Sequence, residues 1–326
     1  MTGKENFFWI FYGLVLLGLF LLSSTDLIIK EEEAGIYPIS VIVGDTTDDQ
    51  YVNFRKGMER AAIELNGDVS FITLYEKGSA RQQREMILRE QEDGSQALIV
   101  DPVEEGMIAQ IRQESRASIP LILINAKPGE AWELENAVSI TFDYHGMGRR
   151  LGEEVLKEYG AQERVCLLEA ESPNGADLLF LQGFCEAMEE EGGLVRTLSC
   201  GRGSGTEAFL EEVAQGGPEK AVLVAQDPEG LIWAAQLLAE TKEAADLVEG
   251  LYGRGNTVSA LNYLDKGIVQ GLCVTDDFSA GYLSVKAAVE LAQNRVVKDT
   301  GFLESGYIRR EDLRDEKYEK MLYPIE

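Results

Sequence analysis

From Ile39 onward, short apolar runs alternate with segments of helical periodicity, and that alternation leaves few architectures open. Ile39 to Val43 is a β-branched run suited to a strand buried on both faces; Tyr51, Phe54, Met58, Ala62 and Leu65 then recur at the spacing of one helix face. The unit repeats. Strands are predicted at Val69 to Leu74, Ala97 to Val100, Leu121 to Ile124 and Val138 to Phe142. Between them a capping box at Ser79 to Gln82 starts a helix ending near Gly94, and Ile108 and Ile111 mark another. A second set follows, with strands at Val165 to Leu168, Leu194 to Cys200, Val222 to Ala225, Leu247 to Tyr252 and Val269 to Val274. Its helices are predicted near Asp177 to Glu190, Glu207 to Val213, Leu231 to Ala239, Val258 to Leu264 and Tyr282 to Leu291. Parallel strands need helical crossovers because a tight turn cannot join them, so the expected class is α/β with two doubly wound parallel-sheet lobes. The charged end from Tyr307 to Glu326 reads as a docked extension.

Composition narrows the function classes. Acidic residues outnumber basic ones 57 to 30, a formal charge of −27, and such a field repels phosphate backbones, so nucleic acid is not expected as a partner. Cys166, Cys185, Cys200 and Cys273 have no C-x-x-C spacing and read as small core residues rather than a disulfide framework. One histidine, His145, provides no zinc cluster and reads as a loop or capping residue. Asp45, Asp48 and Asp49 lack the alternation and distal Glu of a calcium loop, so neither metal nor cofactor is expected. The glycine clusters Gly201 to Gly205 and Gly146 to Gly152 lack dinucleotide spacing and read as turns and helix packing.

Ahead of the first strand, Phe7 to Leu22 is 16 residues without a charge, between Lys4 and the acidic Asp26 and Glu31-Glu32-Glu33. It reads as an uncleaved transmembrane anchor, with a cleaved signal as the alternative. The amino end is then cytoplasmic and the bulk of the chain extracytoplasmic at the cell membrane.

Open parallel sheets bind ligands at the carboxyl ends of their strands, where helix starts leave backbone N–H groups free. Collecting polar and aromatic residues there gives Asp45, Thr46, Thr47, Tyr51, Asp101, Asn125, Phe142 and Asp143 from the first set. The second set adds Gln226, Asp227, Arg254, Thr275 and Asp276. Carboxylates and amides beside ring faces suit a hydroxyl-rich, faintly apolar ring, and a carboxylate accepts from a hydroxyl with about 1.5–3 kcal/mol against about 1 for neutral pairs. A saccharide is the expected ligand.

Several segments carry a family resemblance: the Ile39 strand with its Gly57-Met58 helix, Asp101-Pro102-Val103, Ile119 to Asn125, Gln182-Gly183-Phe184, Ala225-Gln226-Asp227, and Asp265-Lys266-Gly267 before Val274. In order and spacing the chain, from about residue 36, resembles the periplasmic sugar-binding proteins of ABC importers, the ribose-binding type related to lactose-repressor-type effector domains. The resemblance implies the type I periplasmic-binding-protein fold, with lobes joined by three crossovers near Phe142/Asp143, Thr275/Asp276 and Phe302 to Tyr307. It implies a first lobe of residues 36–142 with 276–303, a second of 143–275 with 304–326, and residues 1–35 as anchor and spacer. It also implies capture of a small polar ligand by hinge closure, for an ABC permease or a membrane sensor kinase. The sequence departs from the family at Asn125-Ala126, where an acid followed by arginine is usual, and around Leu178 to Phe180, where another arginine is expected; Arg254 is the candidate replacement. The rival from another class is a membrane-anchored carbohydrate-active hydrolase using Asp45, Asp101 or Asp143, for which no second catalytic half is evident. A DNA-binding repressor would need a headpiece where the apolar segment stands.

Overall fold

A computed structural model of the chain describes residues 3–24, 35–46, 49–104, 106–114, 119–126, 136–161, 164–198, 204–217, 219–297 and 301–324. The chain forms two compact units, Met1–Ile36 and Tyr37–Glu326. The first holds helix α1 (Gly3–Ser24), on which large apolar side chains such as Phe8, Trp9 and Phe20 are exposed. Among the described residues no helix is long and apolar enough to cross a membrane, so the expected transmembrane span is not carried by the structure.

In the second unit the order is β1 (Tyr37–Ile42), a 3-10 turn (Asp49–Tyr51), α2 (Val52–Leu65), β2 (Gly67–Ile72), α3 (Ala80–Glu92), β3 (Ala97–Val100), α4 (Met107–Glu114), β4 (Leu121–Ile124) and β5 (Ala137–Phe142). It continues with α5 (Tyr144–Tyr159), β6 (Val165–Leu168), α6 (Gly175–Glu190), β7 (Val195–Leu198), α7 (Gly205–Ala214), β8 (Ala221–Ala225), α8 (Pro228–Glu240), α9 (Lys242–Leu247), β9 (Val248–Arg254), α10 (Val258–Asp265) and β10 (Gly271–Thr275). The last elements are α11 (Asp277–Ala292), β11 (Phe302–Leu303), β12 (Ser305–Ile308) and α12 (Glu316–Leu322).

Two sheets result, in the orders β2-β1-β3-β4-β5-β11 and β7-β6-β8-β9-β10-β12. All pairings are parallel except the antiparallel β10–β12 ladder. The α/β class with two parallel-sheet lobes is as read from the strand pattern, and the physical reason is burial: β3, β4, β6 and β8 have no exposed residue, as strands covered by helices on both faces require. The chain passes between sheets after β5, after β10 and again between β11 and β12.

Matching glycines seat the helices that flank these passages. Gly57 of α2 and Gly281 of α11 let those backbones touch; a Cβ on either would overlap the carbonyl oxygen of Phe278 or Phe54. The second lobe repeats the device with Gly148 of α5 and Gly183 of α6 against the carbonyls of Phe180 and His145. The Gly146 to Gly152 cluster is thus helix packing, as expected. Because the obstacle is backbone on both sides, Gly148→Ala or Gly281→Ala should cost about 1–3 kcal/mol each by forcing the helices apart. Chemical denaturation reads this as a lower midpoint, and an unchanged midpoint would contradict the close approach.

Some local expectations change. Ser79 precedes α3 but its side chain makes no capping bond, and Gln82 Oε1 instead accepts from the backbone N–H groups of Tyr75 and Glu76 at 3.1 and 3.2 Å. Tyr51 stands at the N-cap of α2 with no side-chain capping bond; Thr47 and Asp48 lie outside the described residues, as do Cys200 and Gly201 to Gly203. Among the described cysteines Cys166, Cys185 and Cys273 are free thiols. His145 sits in the first turn of α5, its Nε2 2.8 Å from Glu186 Oε2, rather than in a loop.

Candidate functional site

In each sheet the winding direction reverses beside the first strand of its lobe, between β1 and β3 and between β6 and β8, and a crevice opens at the carboxyl ends on that reversal. The two crevices meet in one cleft. A cavity of about 240 Å³ is lined by Asp45, Gln50, Tyr51, Lys77 and Asp101 from the first lobe and by Asn174, Asp177, Asp227 and Arg254 from the second. A smaller chamber of about 90 Å³ continues inward past Asn125, Phe142, Tyr144, Thr275 and Asp277 onto the apolar Phe54, Ile140 and Met147.

Each wall is preorganised by short-range structure. On the first lobe, Gln83, fully buried on α3, donates from its amide to the Asp101 carbonyl oxygen at 2.7 Å and accepts from Val103 N–H at 3.0 Å, which fixes the chain leaving β3. The Asp101 carboxylate then accepts at Oδ2 from the Tyr51 hydroxyl (2.8 Å) and from Asn125 Nδ2 (3.0 Å). Asn125, in the left-handed region at φ 54°, accepts in turn from the Tyr144 hydroxyl at 2.5 Å. On the second lobe, Asn174 and Asp177 form a reciprocal capping box at the start of α6, and the Asp177 carboxylate also pairs with the Arg254 guanidinium arriving from the end of β9. Arg254 lies over the Tyr144 ring at 5.3 Å and the Phe180 ring at 6.0 Å, and donates from Nε to the Gln226 carbonyl at 3.3 Å. The walls touch directly: Gln50 Nε2 donates to Asp45 Oδ2 and to Glu229 Oε1, both at 3.0 Å, and the Lys77 ammonium pairs with Glu229 across the cleft and with Asp45 at 3.5 Å.

Burial sets the electrostatics. Desolvation raises the Asp101 carboxyl to about 6, against the lowering effect of its Asn125 and Tyr51 hydrogen bonds, and raises Asp277 likewise to about 6 despite the Thr275 hydroxyl donating to it. It also raises Asp45 and Asp227, and it holds the Tyr51 hydroxyl protonated. Burial pushes the Arg254 guanidinium down, but Asp177, with Tyr144 and Asp227, outweighs it and the net shift is upward. For Asp101 and Asp277 the folded chain holds protons that the unfolded chain has released between about pH 4 and 6, so their stabilisation is complete below about 3.8 and is lost as pH rises through about 6. The ligand-free protein is therefore expected to melt at a higher temperature at pH 5 than at pH 7. Asp101→Asn combined with Asp277→Asn should flatten that slope; a melting temperature that rises across this window would contradict the burial of both carboxyls.

The structure brings Asp45, Tyr51, Asp101, Asn125, Phe142, Asp227, Arg254 and Thr275 together on the cleft, and takes other expected residues elsewhere. Asp143 caps α5, accepting from Gly146 N–H at 2.8 Å, and Asp276 caps α11, accepting from Ser279 N–H at 3.0 Å. In both cases a helix N–H takes the side chain, whereas Asp227, which caps α8 in the same way by accepting from Gly230 N–H at 2.8 Å, still lines the cleft. Gln226 is buried, bridging Ala170 N–H and the Asp177 carbonyl, and Thr46 faces a separate groove beside Arg55 and Phe71. Thr47 lies outside the described residues. Sequence reasoning did not select Gln50, Lys77, Asn174, Asp177, Tyr144 or Asp277. The N-x-x-D capping box at Asn174 to Asp177 was a usable signal for two of them, and Tyr144 and Asp277 each follow a capping aspartate by one residue. Among the described residues no group of three or more His, Cys, Asp or Glu is placed to hold a metal ion.

A family model described as periplasmic binding protein domain matches residues 39–295. The chain belongs to this family. Solved periplasmic binding proteins share its fold across both lobes. A glucose-galactose binding protein from Geobacillus stearothermophilus superposes with a TM-score of 0.73 at 17% identity over 86% of this chain and 99% of that one. An ABC transporter solute-binding protein from Bacillus halodurans with bound myo-inositol gives 0.74 at 21% identity over 89% and 99%. One from Burkholderia graminis in complex with D-arabinose gives 0.76 at 13% identity over 87% and 98%. No curated protein sequence matches the chain. As in any periplasmic binding protein domain, function rests on the side chains of the cleft rather than on the shared backbone.

Proposed function

We propose that the chain is an extracytoplasmic solute-binding protein that captures a small polar ligand, a saccharide, between its lobes and presents the closed form to an ABC importer. The observation that carries the reading is the single cleft at two facing strand-end crevices, where buried acceptors (Asp101, Asp277), an amide (Asn125) and ring faces (Tyr51, Phe142, Tyr144) converge. The cleft offers hydrogen bonding to hydroxyls and an apolar floor. Those are the contacts that hold a sugar. Hinge closure, for which periplasmic binding proteins are the standard example, follows from the three chain passages between lobes and from the Lys77 and Gln50 contacts to Glu229, which exist only when the walls meet.

Residues on the cleft assigned to ligand contact are Asp45, Tyr51, Asp101, Asn125, Phe142, Asp227, Arg254 and Thr275, with Asp177, Tyr144 and Asp277 added. Helix α1 acts as the tether that keeps the binding unit at the membrane. Support comes from its uncharged run Phe7 to Leu22 and from apolar side chains exposed along it, a surface that water does not tolerate on a free helix. Calorimetric titration with a panel of neutral pentoses, hexoses and inositols tests the binding reading: at least one is expected to bind without turnover. Chemical conversion of the bound sugar would replace the reading with a hydrolase, and co-purification with a sensor kinase in place of a permease would reassign the partner.

A further inference from the structure

The charges lining the cleft do not balance. Among the described residues that line it, five carboxylates (Asp45, Asp101, Asp177, Asp227, Asp277) face two cations, Lys77 and Arg254. Both cations are already engaged, Arg254 by Asp177 and Lys77 by Asp45 and Glu229. Asp101, Asp227 and Asp277 are left with no ion-pair partner among the described residues. A second observation, independent of that count, points to where a ligand would enter: Asp101 is only 4% exposed, its Oδ2 already accepts two hydrogen bonds, and its buried Oδ1 has no partner although the residue lines both chambers. An unpaired carboxylate oxygen in such surroundings is costly unless something arrives to meet it.

We propose that the cleft selects a saccharide bearing a protonated amine, with the ammonium donating to Asp101 Oδ1 and its charge balanced by Asp101, Asp227 and Asp277. The inference rests on the solute-binding reading above and narrows its ligand. A hydroxyl would satisfy Oδ1 by hydrogen bonding but would add no positive charge to the three carboxylates, which feel Arg254 only at a distance, whereas an ammonium does both. Burial holds Asp101 and Asp277 near 6 even though the charge of Arg254 lowers both, and a further cation in the cleft would favour their ionised forms. The overall charge of −27 enriches cations near the molecule as a whole. The charge of Arg254 is balanced by Asp177, so the pair brings no net positive charge to favour an anionic sugar.

The test titrates the full-length protein calorimetrically at pH 7 with matched triples: aminohexoses carrying the amine at different ring positions, their N-acetyl counterparts and the parent neutral hexoses. At least one amino sugar is expected to bind 10-fold or more tightly than both its matched partners. Asp101→Asn should abolish that preference while leaving the melting transition cooperative, and Asp227→Asn should reduce it. Neutral hexoses binding as tightly as every amino sugar, or a uronic acid binding more tightly than either, would overturn the amine proposal and leave the solute-binding reading intact. Failure of every sugar, charged or neutral, would overturn the reading on which it rests.

Discussion

Replacing Arg254 by alanine is expected to lower the unfolding free energy by about 3–5 kcal/mol, the cost of leaving one member of a buried ion pair uncompensated. Its partner, the Asp177 carboxylate, is 6% exposed and has no other cation within ion-pair distance among the described residues. The truncation also removes the guanidinium from between the Tyr144 and Phe180 rings and its bond to the Gln226 carbonyl. Chemical denaturation would read the loss. Adding Asp177→Asn should recover a large part of it, because the orphaned charge is then gone while the capping role of residue 177 partly survives. Equal destabilisation in the single and double variants would show that Arg254 acts by packing alone.

Asp101→Ala should abolish the thermal shift produced by a cognate sugar, lowering affinity by roughly 10²–10⁴-fold. Asp101 offers one free acceptor oxygen to the ligand and positions Tyr51 and Asn125 through the other, so its removal costs one charge-assisted contact directly and loosens two more; each is worth about 1.5–3 kcal/mol. The ligand-free fold should not suffer in proportion. The carboxyl is raised to about 6 by burial, so at pH 7 it is a destabilising group whose loss partly offsets the cavity created. A retained thermal shift would remove Asp101 from the site, and a collapse of the ligand-free melting transition would make it a structural residue.

These two aspartate-centred sites differ in how readable they were. Strands such as Ala97–Val100 and Ala221–Ala225 announce themselves because burial on both faces demands an unbroken apolar run. The turn at each carboxyl end then carries the polar residue, which is how Asp45, Asp101 and Asn125 could be placed. The same rule misassigned Asp143 and Asp276. At those positions the chain passes straight from strand to helix, so the aspartate caps the helix and the next residue, Tyr144 or Asp277, turns into the cleft. Sequence patterning alone does not separate a capping carboxylate from a binding one, since both need an acceptor at a helix start. Arg254 was found as the odd basic residue at a strand end, but its neutralisation by Asp177, 77 residues away, is tertiary information with no local trace. The Glu229 bridge to Lys77 and Gln50 is of the same kind, because it exists only once two separately folded lobes face each other.

Small-angle scattering with and without saturating ligand addresses closure most directly. To move from 1:99 to 99:1 closed, a ligand must prefer the closed form by about 5.5 kcal/mol, within reach of a few charge-assisted hydrogen bonds and a ring contact. With the sugar that titrates most tightly, the radius of gyration is expected to fall, and Glu229→Ala, which removes the bridge between the lobes, should expand the ligand-free ensemble. An identical scattering profile with and without bound ligand would contradict capture between the lobes.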